Sequence, residues 1–164
     1  MTTIRLADSL DEFDIFRLCA IMHEEQPHYA LAWEKISPMV RLATRHESGI
    51  IGVIGDRGDI KGAVFLIIES IWYSNDYHLM EYFNFVRPDS RRSTYAKDLI
   101  NYSKSCADAL HLPLTMGVYS GIKTEAKVRL YRRMLPCIGA FFMYVPEGCK
   151  AIANPAILSQ TAAE

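Results

Sequence analysis

An arginine pair in the middle of the chain has residue types and a position that suit the binding of an anion. The segment VRPDSRRSTYAKDL, residues 86–99, continues the apolar run HLMEYFNFV and leads into an amphipathic stretch. Ser90 is typical of an N-cap, so we expect a helix to begin at Arg91. A helix N-terminus favours an anion, and the guanidinium groups of Arg91 and Arg92 match phosphate oxygens. The junction predicts a phosphate site; the alternative is a solvated helix start without a ligand.

The elements before this junction begin with a strand and two helices. TTIRLA is typical of a short strand, and Ser9 is the expected N-cap of an amphipathic helix that ends at Pro27. Ser37 and Pro38 have the types of an N-cap and a first helical residue, so a second helix is expected to start there.

Strands and helices then alternate. Two β-rich runs in residues 49–73 flank GDRGD, which is typical of a hairpin turn, and residues 79–86 form a further strand. An apolar stripe from Tyr95 to Leu110 predicts a helix. The pattern then predicts a strand in LPLTMGVYS, a helix in KTEAKVRLYRRML and a last strand in GAFFMYVP. This order predicts a mixed α/β (α+β) fold with one central sheet. We expect residues 1–150 to form a single domain and leave 151–164 as an unassigned tail.

The composition narrows the classes of function. The chain has 164 residues, 50% of them hydrophobic and 23% charged, which is typical of one globular domain. A net charge of -1 provides no overall field to attract nucleic acid. Four cysteines without a C-x-x-C pair predict reduced thiols and no metal site. Since no apolar run is long enough for a signal core or a membrane span, we expect a cytoplasmic protein.

The arginine junction resembles the acetyl-CoA motif of the GNAT superfamily of N-acetyltransferases, V-x-P-x-x-[QR]-x-x-G-x-[GA]. Val86 and Pro88 match the motif, Arg91 takes the Q/R place, and Ala96 takes the last small place. Thr94 departs from it, because it stands where the family has glycine. The Arg-Arg-Ser-Thr-Tyr variation is one that we expect in members from bacterial viruses.

A later segment, RLYRRMLPCIGAFFMYV, resembles the family's L-Y-x-[KR]-x-G-F ending. Leu130 and Tyr131 are in register, and Leu135-Pro136 replaces Gly-Phe. The asparagine and alanine that precede this tyrosine in the family are replaced by Thr124 and Lys127.

The resemblance implies a GNAT fold, with a central, mostly antiparallel twisted sheet flanked by helices. It also implies acetyl transfer from acetyl-CoA to an amine, by direct attack in a ternary complex and without a metal. A bulge in the strand before the junction would leave main-chain N–H groups as donors to the pantetheine arm and the thioester oxygen. The residues that the resemblance assigns to acetyl-CoA are Phe85, Val86, Arg91, Arg92, Ser93, Thr94, Tyr95 and Ala96.

Glu81 and Tyr131 are the candidate catalytic residues. An amine with a pKa of about 10.4 is mostly protonated at neutral pH, so a general base helps. Glu81 lies among apolar neighbours, where desolvation raises the pKa of a carboxylate; alternatively it faces solvent on an alternating strand. By the resemblance, Tyr131 is the acid that protonates the leaving thiolate. Alternatively Tyr131 belongs to the core, as part of an apolar stripe with Val128 and Leu135.

Thr94 keeps a second class of function open. Glycine lets a backbone approach a pyrophosphate closely, whereas a β-branched side chain narrows the approach. Either Thr94 and Ser93 contact phosphate, or the pocket binds CoA weakly or not at all. In the second case the protein is a catalytically inactive GNAT-fold module that binds another protein.

The acceptor is an amine that the sequence does not identify, either a small molecule or a protein lysine or N-terminus. The resemblance places its site in residues 20–48 and 70–78. Five aromatic residues in these segments line an acceptor cleft or belong to the core or an interface: Tyr29, Trp33, Trp72, Tyr73 and Tyr77. A homodimer through the apolar segment AFFMYV is a further expectation, and we expect neither a membrane nor a nucleic acid as partner.

Overall fold

The structure is a computed structural model that describes residues 2–25 and 29–144. The described residues form five strands and four α-helices in the predicted order, which confirms the mixed fold. In chain order they are β1 (Arg5–Leu6), α1 (Glu12–Glu24), α2 (Trp33–Thr44), β2 (Ile50–Ile54), β3 (Gly62–Ser70), β4 (Tyr77–Val86), α3 (Tyr95–Leu110), β5 (Leu114–Thr115) and α4 (Thr124–Met134). Within these two ranges, no helix combines the length and the apolar character that crossing a bilayer requires.

One sheet with the strand order β1-β2-β3-β4-β5 organises the core. Strands β1 to β4 pair with one another in antiparallel fashion, whereas β5 runs parallel to β4. The central, mostly antiparallel sheet is therefore confirmed. Alternation along the strands gives each face its own core, since Val53, Ala63 and Phe85 pack with α1 and α2 while Ile54, Val64 and Val86 pack with α3.

The helix after the arginine junction begins later than predicted. Ser90 does not cap it, because the Ser90 hydroxyl donates to Asp89 and the Ser90 N–H closes a turn onto the Arg87 carbonyl. Residues Pro88–Ser90 form a short 3-10 turn, and α3 starts at Tyr95 with Thr94 in the N-cap position. The arginines are therefore loop residues before the helix, not first-turn residues.

The starts of α1 and α2 also differ from the predictions. Asp8 rather than Ser9 caps the first turn, because its carboxylate accepts from the Leu10 N–H while the Asp11 carboxylate accepts from the Asp8 N–H. α2 begins at Trp33, whose ring packs edge-on against Phe16, so Pro38 lies inside the helix. The predicted helix end at Pro27 lies outside the described residues.

The predicted last strand is not formed in its described part. Residues 139–144 have no regular secondary structure, and Phe141 is 95% exposed and Phe142 94%. β propensity needs a partner strand, and in the described part of the chain no strand pairs with this segment. The end of that segment and the tail of residues 151–164 lie outside the described residues.

Candidate active site

A cavity of about 620 Å³ opens where β4 and β5 diverge. β5 pairs with β4 only at Leu79 and Met80, so beyond Met80 the outer edge of β4 has no partner strand in the described part of the chain. Residues 80–86 of β4, residues 115–120 and one side of α4 line the cavity. Its volume lies within the roughly 300–1,000 Å³ that is typical of ligand pockets.

A β-bulge at Tyr82 determines which side chains of β4 face this site. Glu81 pairs with Leu66 and Phe83 pairs with Phe65, so Tyr82 is an extra residue without a partner on β3. Without a bulge, Glu81 and Asn84 would point to opposite faces. The extra residue places both on the face that α3 covers. The bulge that the resemblance implied is therefore present, just before the expected main-chain donors.

Glu81 and Tyr131 meet in this cavity. Tyr131 Oη donates a hydrogen bond of 2.9 Å to Glu81 Oε2. Burial raises the pKa of Glu81 to about 8, and the Tyr131 hydrogen bond opposes this shift only in part. Burial, together with the nearby Glu81 carboxylate, holds the pKa of Tyr131 well above its usual value. The site therefore combines a carboxyl group that titrates near neutrality with a phenol that keeps its proton.

Asn84 is the residue that sequence reasoning missed. Its amide nitrogen and oxygen are both buried. The hydrogen-bond interaction of this amide with Tyr131 opposes the upward shift of the tyrosine pKa. The available signal was a polar residue inside the apolar run YFNFV, but simple alternation places it on the face opposite Glu81.

Arg91 lies at the cavity in an ion pair. Its Nη2 donates to both carboxylate oxygens of Glu25, at 2.7 and 2.6 Å, and its Nε donates to the Val86 carbonyl at 3.1 Å. Its guanidinium carbon lies 5.3 Å from the centre of the Phe85 ring. Glu25 follows the end of α1, so the pair connects the α1 layer to the loop after β4.

The other residues that the resemblance assigned to acetyl-CoA, in the loop and in the first turn of α3, differ in exposure. Arg92, Ser93 and Thr94 are exposed, whereas Tyr95 and Ala96 pack against the core beneath α3. The Thr94 hydroxyl donates to Asp98 at 2.7 Å, and Thr94 has a φ of -84°. Since this φ is negative, the backbone does not require glycine at this position.

Of Phe85 and Val86, only Val86 presents its main-chain groups to the unpartnered edge of β4, where its carbonyl accepts from Arg91 Nε. The Arg87 N–H donates to the Lys61 carbonyl and the Phe85 carbonyl lies against Gly62, so the main-chain groups of Phe85 point to β3. The Phe85 side chain is buried in the α1–α2 core and the Val86 side chain in the α3 core.

Lys127 adds a second cation at the same end of the cavity. It is half-buried on α4 and donates a hydrogen bond to the Ser120 hydroxyl. Burial lowers the pKa of Lys127; the charge of Glu25 opposes this effect and that of Arg91 reinforces it. Glu25, Arg91 and Lys127 therefore form one charged cluster.

The five predicted aromatics are exposed but do not line the cavity. Tyr29 reaches it indirectly, through a hydrogen bond with Tyr119, which does line it. Trp72 and Tyr73 contact each other edge-on at 5.3 Å between ring centres, in the loop between β3 and β4. In the described part of the chain, no three His, Cys, Asp or Glu side chains are grouped to hold a metal ion.

Comparison with known proteins identifies the fold. No family model matches the sequence, and no curated protein matches it. The structure is similar to an aminoglycoside acetyltransferase from an uncultured soil metagenomic sample, with a TM-score of 0.64 and 13% identity over 90% of this chain and 96% of that one.

Two further solved structures are similar over nearly their whole length. A ribosomal-protein-alanine N-acetyltransferase from Brucella melitensis gives a TM-score of 0.63 with 16% identity, covering 90% of this chain and 99% of that one. A GNAT family acetyltransferase from Staphylococcus aureus gives a TM-score of 0.59 with 14% identity, covering 88% of this chain and 100% of that one. The chain therefore has the GNAT fold, as its motifs predicted.

Proposed function

We propose that this protein is an N-acetyltransferase that moves the acetyl group of acetyl-CoA to an amine by direct attack in a ternary complex. The observation that carries the proposal is the Tyr131–Glu81 hydrogen bond of 2.9 Å inside a cavity at the β4–β5 divergence of a GNAT fold. It joins a proton acceptor to a proton donor where a ligand has room to enter.

Glu81 and Tyr131 have complementary roles in this reaction. The ionised form of Glu81 takes a proton from the acceptor ammonium, so that the neutral amine attacks the thioester carbon. The new C–N bond forms as the C–S bond breaks, and Tyr131 gives its proton to the departing thiolate. The proton on Glu81 then passes along the hydrogen bond to Tyr131, which restores both groups. The nitrogen loses its second proton to solvent as the amide forms.

Acetyl-CoA supplies the activated acetyl group, and the residues around the cavity fit such a ligand. The unpartnered edge of β4 at Val86 offers a main-chain N–H to the amides of the pantetheine arm. The loop from Arg91 to Thr94 offers cations to the pyrophosphate, and the first turn of α3 at Ala96 offers N–H groups.

The acceptor is an amine, but the neighbours do not narrow it further. Their names specify an aminoglycoside and a ribosomal-protein alanine, which share little beyond an amine. We place the reaction in the cytoplasm, a setting that suits the free thiols of Cys19, Cys106 and Cys137.

Calorimetric titration with acetyl-CoA, followed by an assay of thiol release with a panel of amines, tests the proposal. Micromolar binding and amine-dependent thiol release would support it. Binding without turnover on any amine, together with a protein partner recovered by pull-down, would favour the alternative of an inactive GNAT-fold binding module. Absence of heat at two temperatures would contradict acetyl-CoA as the donor.

A further inference from the structure

We infer that Lys127 binds the pyrophosphate of the donor together with Arg91, so that cations from two elements of the cavity wall hold this anion between them. This inference rests on the proposed function. It gives a role to a residue of α4 at a place where the motif that the chain resembles has alanine.

The first argument is the position of Lys127 in the cavity. Arg91 lies in the loop after β4 and Lys127 lies on α4, and both residues line the cavity. Tyr131 follows Lys127 by four residues, so their side chains leave the same face of α4 one turn apart. Tyr131 contacts Glu81, whereas the charges that act on Lys127 are those of Glu25 and Arg91. The reacting end and the cationic end of the cavity are therefore separate, as the thioester and the pyrophosphate are in acetyl-CoA.

The second argument is the charge balance at the cationic end. Both carboxylate oxygens of Glu25 accept from Arg91, at 2.7 and 2.6 Å. No carboxylate in residues 2–25 or 29–144 forms an ion pair with Lys127. The neutral Ser120 hydroxyl takes one of the three N–H donors of its ammonium group. Two half-buried cations therefore share one carboxylate, and an anion between them would supply the missing negative charge.

The third argument is that the hydroxyl groups of the arginine loop already use their protons. The Thr94 hydroxyl donates to Asp98, and the Ser93 hydroxyl donates to the Ser90 carbonyl. A hydroxyl has one proton to donate, so in this arrangement neither side chain has a donor left for a phosphate oxygen. Lys127 supplies from α4 the donors that these two loop residues do not.

Calorimetric titration of acetyl-CoA into Lys127→Met tests the inference, because methionine keeps the long unbranched side chain and removes its charge. We expect the affinity to fall by about tenfold or more, the effect of one charge-assisted hydrogen bond. Lys127→Arg, which keeps the charge, should recover part of this loss. Lys35→Met, the same change at an exposed position of α2, is the matched control and should leave the affinity unchanged.

A second readout identifies the phosphate that Lys127 binds. Phosphorus NMR resolves the pyrophosphate of bound acetyl-CoA from the phosphate on its ribose. Lys127→Met should shift the pyrophosphate resonances and leave the resonance of the ribose phosphate in place. With an amine that turns over, this variant should raise KM for acetyl-CoA and leave kcat close to that of the wild type, because Lys127 holds the donor and transfers no proton.

Ser120→Ala separates the charge of Lys127 from its packing, because this variant removes the hydrogen-bond partner and keeps the ammonium group. It should weaken acetyl-CoA binding far less than Lys127→Met does. An equal loss of affinity in the two variants, with the pyrophosphate resonances unshifted, would assign Lys127 a structural role and contradict the inference.

An unchanged affinity in Lys127→Met, or a loss of affinity that shifts only the resonance of the ribose phosphate, would overturn the inference while leaving the proposed function in place. A wild type that binds neither CoA nor acetyl-CoA would overturn the proposed function, and this inference with it.

Discussion

Tyr131 and Glu81, fifty positions apart in the chain, share a hydrogen bond of 2.9 Å at the wall of the β4–β5 cavity. Because Glu81 has a pKa of about 8, the pair holds one or two protons near neutral pH. A base that loses its proton in this range can accept one from an ammonium group, and its bonded phenol can pass one to a thiolate. We therefore expect both the proposed activity and the stability of the protein to depend on pH.

The rate of acetyl transfer should rise with pH around the pKa of Glu81. Only the ionised carboxylate accepts a proton, so kcat/KM is expected to increase through an apparent pKa of about 8. Glu81→Gln should lower kcat/KM by at least about a hundredfold, the lower range for general-base catalysis, and remove this step. A pH–rate profile from pH 6 to 10 measures both. A step that persists at the same pH in Glu81→Gln would assign it to another group.

The same group should make the fold less stable as pH rises. Between the ordinary carboxyl pKa of 4.5 and about 8, the unfolded chain has lost a proton that the folded protein retains. The free energy of unfolding therefore falls with rising pH in this window, by at most about 1.4 kcal/mol per pH unit from this group, and levels off above it.

Glu81→Gln removes this contribution. The free energy of unfolding of the variant minus that of the wild type should therefore increase from pH 5 to pH 8. Urea denaturation at several pH values measures the difference, and Glu47→Gln, which removes an exposed carboxylate, is the control for lost charge. A difference that stays constant across this pH range would contradict the buried, protonated state of Glu81.

Replacing Tyr131 separates its catalytic role from a structural one. Tyr131→Phe keeps the ring but removes the proton donor and the bond to Glu81, so kcat should fall by about a hundredfold or more. The affinity for acetyl-CoA should change little, and calorimetry measures it independently of turnover. Tyr73→Phe, in an exposed loop, is the matched control. Loss of binding together with turnover would mean that Tyr131 mainly shapes the cavity.

Much of the fold was predictable because it depends on local patterns. The hairpin turn at GDRGD and the apolar stripe of α3 are readable within a few residues, and the structure agrees with both. The start of α3 was not predictable in this way, because the Ser90 hydroxyl donates its hydrogen bond to Asp89 instead of capping the helix. The last strand was predicted from the high β propensity of AFFMYV, but propensity alone does not provide the partner strand that a sheet requires.

The site was predictable only in part, for a different physical reason. Glu81 and Tyr131 were found one by one, but their contact joins elements that are distant in the chain. The bulge at Tyr82 shifts the alternation of side chains along β4 by one residue. Regular alternation places Asn84 on the face opposite Glu81, so the sequence did not indicate that both line the cavity. The partner of Arg91, Glu25, is 66 residues away, and no local pattern indicates it.

The Arg91–Glu25 ion pair should compete with the pyrophosphate of acetyl-CoA. In the free protein, Glu25 accepts both hydrogen bonds of Arg91 Nη2, at 2.7 and 2.6 Å. A phosphate that binds this guanidinium must displace the carboxylate. Glu25→Gln should therefore tighten acetyl-CoA binding by a fewfold, whereas Arg91→Ala should weaken it by about tenfold or more, as expected for a charge-assisted bond.

A double-mutant cycle measured by calorimetry tests this competition. If Glu25 acts through Arg91, Glu25→Gln should have a smaller effect on affinity in the Arg91→Ala background than in the wild type. Arg45→Ala, on the exposed residue that follows α2, controls for the loss of a positive charge. Weaker acetyl-CoA binding in Glu25→Gln would reverse the interpretation, because the carboxylate would then be holding Arg91 in its binding position.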